Sequence, residues 1–133
     1  MTMSPNDLNR GEFDTGAVAV AGTSTWVQVL RLELDPQVHT RRTVLTGLVG
    51  GNAITGLKVT RAAVRGGVHV DVAVDADLDE PNVEVQAAFP ASAYTTGAGG
   101  RFQITLNNCG VAEWGMWAKA ASATTVQTNG SAS

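Results

Sequence analysis

The chain has 133 residues, 44% hydrophobic and 16% charged, enough for one domain around a single core and too apolar for a wholly disordered polymer. Nine basic against twelve acidic side chains leave a formal net charge of −3, which removes the electrostatic basis for binding DNA or RNA. With one cysteine, Cys109, no internal disulfide can form.

Residues 1–15, with Pro5, Asn6, Asp7, Asn9, Arg10 and Gly11, hold no period of about 2 or 3.6 residues and are expected as a flexible, extended arm. They also lack the basic start and the apolar run of about 7–15 residues of a classical secretory signal, so export by that route is not expected. Residues 43–57 are uncharged, but Gly47, Gly50, Gly51 and Gly56 interrupt them and they fall short of the roughly 20 residues of a membrane helix. No membrane partner is expected.

A β domain is expected over residues 16–121. In residues 25–34, Trp26, Leu30, Leu32 and Leu34 share one parity while Val27 and Val29 hold the other. Three explanations stand: a β-bulge near Val29 and Leu30 that shifts the phase, a strand that crosses from one sheet to the other, or a second face covered by a neighbouring subunit, which would make Trp26, Val27 and Val29 interface residues. Residues 40–49 and 53–64, rich in β-branched side chains and joined by Gly50, Gly51 and Asn52, suggest a hairpin. In residues 67–75, Val68, Val70, Val72 and Val74 alternate with His69, Asp71, Ala73 and Asp75, the pattern of a half-buried strand with His69 outward. Val83, Val85, Ala87 and Phe89 make the same pattern, as do Phe102, Ile104 and Leu106. Ala112, Trp114, Met116, Ala118 and Ala120 then form a core parity. Val111, Glu113, Gly115, Trp117 and Lys119 face outward, and Trp117 is either a capped edge position or a subunit-interface anchor, the fourth interface candidate. Residues 122–133 are a polar tail, with a short strand around 124–127 as an option. About seven to nine short strands with glycine punctuation predict an all-β fold, an antiparallel sandwich or small barrel with Greek-key or jelly-roll-like connections and extended termini.

The candidate chemistry is thin. Asp75, Asp77, Asp79 and Glu80 crowd one turn and offer oxygen ligands to a weakly held cation. A tight calcium loop, however, would need Gly where Glu80 stands and a bidentate Glu where Gln86 stands, so a solvated turn without metal is expected. His39 and His69 are the only imidazoles, and no nucleophile elbow, phosphate loop or dinucleotide fingerprint accompanies them. Gly97-Ala98-Gly99-Gly100 precedes a strand rather than a helix and is expected as a hairpin loop. Neither a catalytic set nor a cofactor site is expected.

The segment "GRFQITLNNCGVAEWGMWAKA", read as a final hairpin, and the tail "ASATTVQTNGSAS" close a chain of Ala, Val, Thr and Gly strands. Over residues 16–128 it resembles the small all-β accessory proteins of tailed-phage particles. The resemblance implies a virion structural role, as a head decoration or cement protein that binds the major capsid protein or another virion component. It also implies self-association as a dimer or trimer, and residence in the virion after assembly in the host cytoplasm. The competing expectation is a carbohydrate- or host-surface-binding module of a tail or fibre, because exposed aromatic rings can stack on sugars.

Overall fold

The computed structural model describes residues 1–74, 83–85 and 101–133, which build an all-β sandwich. In chain order the elements are β1 (Thr2–Met3), α1 (Pro5–Leu8), β2 (Phe13–Val20), β3 (Val27–Glu33), β4 (Arg42–Gly51), β5 (Gly56–Ala62), β6 (Val70–Val74), β7 (Val83–Val85), β8 (Arg101–Asn107), β9 (Glu113–Lys119) and β10 (Thr124–Ala132). Sheet I runs β1-β3-β9-β5-β6 and sheet II runs β2-β10-β4-β8-β7. Every pairing is antiparallel except β1 with β3. Between the sheets lie Leu30, Leu32, Leu57, Val59, Trp114 and Met116 from sheet I, against Leu45, Phe102, Ile104, Leu106 and Val126 from sheet II. Period-2 alternation produces this layer directly, since each strand turns one parity inward. Ala112, Trp114, Met116, Ala118 and Ala120 are all buried, as their parity predicts.

Neither expected hairpin forms. β4 lies in sheet II and β5 in sheet I, and β8 and β9 are divided in the same way, so both connections are arches between the sheets. The first arch is held where Thr124 Oγ1 donates to the carbonyls of Gly50 and Asn52, and the side chain of Asn52 donates to Ala123 O at 3.0 Å. The buried Ile54 plugs its inner side. Tight-turn composition favours a sharp reversal but does not say whether the chain returns in the same sheet.

Both termini are parts of the fold, which corrects the expected arm and tail. Ser4 and Asp7 cap α1 reciprocally, Leu8 and Phe13 are buried, and Arg31 N–H donates to Met1 O at 2.8 Å. His39 fastens this segment to the turn before β4: its Nδ1 accepts from Asp35 N–H and its Nε2 faces Asn9 Oδ1, both at 2.9 Å. At the other end β10 is an inner strand of sheet II, between β2 and β4. It reads as polar because its buried positions include the hydroxyls of Thr124 and Thr128, which find their partners on other elements. At the bulge after Gln127, Thr128 N–H and Thr128 Oγ1 turn to Thr15 Oγ1, at 3.1 and 3.3 Å. Gly130 is required beside them, since a Cβ there would run into the carbonyl of Val44.

The double-parity strand resolves as a bulge between Gln28 and Leu30. Val29 is 0% exposed, which leaves it no surface for a neighbouring subunit to cover, while Val27 packs against the core and stays half-buried. The valine strand needs a larger correction. It begins only at Val70, and Val68 and Val70, expected inward, are 85% and 55% exposed. Residues 63–69 leave the strand register and fold back over sheet I, carrying His69 with them. Asp75, Asp77, Asp79, Glu80, Gln86, Ala87, Phe89 and the glycines of 97–100 lie outside the described residues.

Because β10 is the sole link between β2 and β4 in sheet II, deleting residues 124–133 is expected to abolish the fold rather than trim a tail. Loss of the far-UV β spectrum and of amide dispersion in a heteronuclear NMR spectrum checks this; a folded truncation would contradict the strand order.

Candidate functional site

The outward face of sheet I gathers the polar and aromatic side chains that the sequence scatters. β9 is flanked by β3 and β5, so Gly115 lies between Arg31 and Thr60, and Trp117 between Gln28 and Lys58. Trp26, just ahead of β3, joins this row. Lys58 Nζ sits 5.0 Å from the Trp26 ring centroid and 5.3 Å from that of Trp117, while Lys119 Nζ sits 4.7 Å from Trp26. Each ammonium thus lies over an aromatic face, where the ring quadrupole attracts it. Lys58 also meets Asp71 at 3.4 Å. Two of the four interface candidates, Trp26 and Trp117, are therefore half-buried neighbours on one face, while Val27 is half-buried against the core and Val29 is fully buried.

Glu113 occupies an outward register position, yet its side chain is 0% exposed. Arg31 grips it with two bonds, Nε to Oε1 at 3.2 Å and an Nη to Oε2 at 2.8 Å. The loop of residues 63–69 closes over it from the opposite side: Gly66 N–H donates to Oε2 at 2.7 Å and His69 Nε2 meets Oε1 at 2.8 Å. Arg65 ties the loop down beyond β9 by donating to Leu34 O at 3.0 Å. Burial pushes the carboxyl pKa up, but the bonds from Arg31, Gly66 and His69 outweigh it and hold Glu113 at about 2, against an ordinary 4.5.

His69 continues the chain, since its Nδ1 lies 2.9 Å from Thr60 Oγ1, which accepts from the Trp117 indole N–H at 2.9 Å. The arrangement that gives every proton an acceptor runs one way only: Trp117 to Thr60, Thr60 to His69 Nδ1, and His69 Nε2–H to the carboxylate. Gly115 makes room for it. A Cβ there would strike Thr60 Oγ1 and lie 3.0 Å from both Gln28 Nε2 and Trp117 Nε1, so a side chain would keep the indole from folding back onto β5.

Carboxylate, imidazole and hydroxyl in this order have the connectivity of an activated nucleophile. The hydroxyl is closed off, however: Thr60 is 3% exposed and its oxygen is already engaged by Trp117. In this conformation the chain positions an indole and a loop; it offers no open nucleophile. Among the described residues no group of three or more His, Cys, Asp or Glu could hold a metal ion, and no helix is long and apolar enough to cross a membrane.

The sequence reading places His69 on a solvated face without partners, and Glu113 outward. The structure gives His69 two partners and buries Glu113. No spacing motif marks Arg31, Thr60, His69 and Glu113, because they come from three strands and a loop. The one trace is an acidic residue between Ala112 and Trp114, at the start of the most apolar strand. Cys109 is exposed in a turn, where its N–H donates to Asn107 Oδ1 at 3.0 Å. No protein-family model matches this chain, and no curated protein is similar to it.

A carboxylate with a depressed pKa contributes stability that is complete above its ordinary value and is lost as pH falls through the folded one. For Glu113 that window runs from about 4.5 down to about 2, with roughly 3 kcal/mol at stake. Glu113→Gln is expected to be less stable than the parent at pH 7 and to lose little more between pH 5 and pH 2, so that the two converge in acid. Urea midpoints measured across this range check the convergence; parallel curves would contradict it.

Proposed function

We propose that this chain is a virion structural protein of a tailed phage that attaches to the particle surface, as a head decoration or cement protein, through the outward face of sheet I. The observation that carries this reading is the Trp26, Lys58, Trp117 and Lys119 group: two half-buried indoles with two ammoniums held over them, built on strands and braced by the chain from Glu113 to Trp117. Aromatic side chains with little freedom left to lose are effective anchors, because association then costs less ordering. The packed termini change the expected mechanism. With the N-terminal segment packed into the fold, attachment rests on a preformed face, with affinity gained by repetition over symmetry-related sites and through self-association. The closed hydroxyl of Thr60 supports a role in contact rather than catalysis.

A second reading, a carbohydrate- or host-surface-binding module, draws on one observation: Trp26 and Trp117 are brought to the same face, which suits stacking on a sugar ring.

Trp26→Ser removes one ring and leaves the Trp117–Thr60 bond untouched. It is expected to weaken co-sedimentation with capsids assembled without this chain by about thirtyfold, the equivalent of about 2 kcal/mol, with an unchanged β spectrum. Undiminished binding by the variant, or no binding by the parent chain, overturns the proposal. A glycan array that captures the parent and loses the variant favours the second reading.

A further inference from the structure

At one end of the sandwich the β3–β4, β5–β6 and β8–β9 connections meet around a cleft of about 280 Å³. Its walls are largely apolar, from Pro36, Ala63, Val111 and Ala112, and Asn108 and Cys109 complete one side. Among the described residues, no Arg, Lys, Asp or Glu lines it. The cleft lies apart from the tryptophan face and plays no part in the attachment proposed above.

Asn108 is 2% exposed. Its Oδ1 accepts from Thr43 Oγ1 at 2.9 Å and from Trp114 Nε1 at 2.8 Å. The indole N–H can only donate, so the carboxamide cannot be turned over without setting donor against donor. Its orientation is therefore fixed, and Nδ2 remains a buried donor without a partner among the described residues. Buried amide groups are nearly always satisfied, because an orphan forfeits its bond to water without a replacement. Here the orphan belongs to a residue in the wall of a cleft large enough for a small molecule.

We infer that this cleft binds an uncharged small molecule with a compact apolar body and one carbonyl oxygen, which accepts the hydrogen bond that Asn108 Nδ2 otherwise lacks. The apolar walls take the body of the ligand, and the single donor fixes its direction. None of the described lining residues offers a countercharge, which selects against an anion, since it would lose its hydration uncompensated.

Benzamide is the probe, with toluene as the same ring lacking the oxygen and benzoate as the anionic counterpart. In titrations followed by NMR of the isotopically labelled chain, benzamide is expected to shift the Asn108 side-chain amide and the Cys109 to Ala112 backbone signals saturably. Its binding is expected to be about tenfold tighter than that of toluene or benzoate. Ala63→Trp, which fills the cleft from its exposed rim, should abolish the shifts while leaving the other resonances in place. Equal binding of benzamide and toluene overturns the carbonyl assignment. No saturable shift with any probe, or a bound water as the only partner of Nδ2, overturns the site.

Discussion

Sheet I is organised around a carboxylate that has been taken out of water. An ionised Glu113 at 0% exposure is tolerable only because Arg31, Gly66 and His69 supply hydrogen-bond donors from two separate elements, a strand and a returning loop. Removing Arg31 would leave the buried charge uncompensated, and losing Gly66 or His69 would take a donor from one carboxylate oxygen, so the carboxylate dictates where the loop lies, which way the His69 ring faces and where its second nitrogen points. From there the constraint passes through Thr60 to the indole of Trp117, and so to the aromatic face. What the surface presents is thus set by an ion that the surface does not show.

The same arrangement separates two meanings of an acid, imidazole and hydroxyl in sequence. In a nucleophile the hydroxyl is the free end, exposed to a substrate. Here it is the middle of the chain, with an indole donor beyond it and no open side. Here the charge and geometry fix the indole and the loop in place, and the half-buried ends of the chain of bonds are a tryptophan and an arginine. Both residue types serve well as anchors at protein interfaces.

The fold class is readable from period-2 alternation because one face of each strand must be apolar, and β9 illustrates it without exception on its inner side. Three things are not readable, each for a physical reason. Gly50, Gly51 and Asn52 announce a change of direction, yet the choice between hairpin and arch depends on partners more than fifty residues away. β10 looks like a tail because hydroxyls stand at buried positions, and only Thr15, distant in sequence, makes Thr128 acceptable inside. The loop that carries His69 continues the valine alternation in sequence while leaving the strand in space, drawn out by Glu113. The bulge at Val29 is one of three options the double parity leaves open, and only the pairing with β9, more than eighty residues on, selects it.

The position of β10 also sets an order of events. Thr15 and Thr128 are 113 residues apart, and closing a loop of that length costs about 4 kcal/mol in chain entropy before any contact is gained. Until β10 is present, β2 has no partner in its own sheet, and the block of β4, β8 and β7 has an open edge where β10 will lie. β5 and β6, by contrast, can pair as soon as they emerge, since they are neighbours in both sequence and space. On the ribosome, then, half of the sandwich waits with unpaired strand edges while synthesis continues, and the sheet is closed late, by the most polar strand it contains.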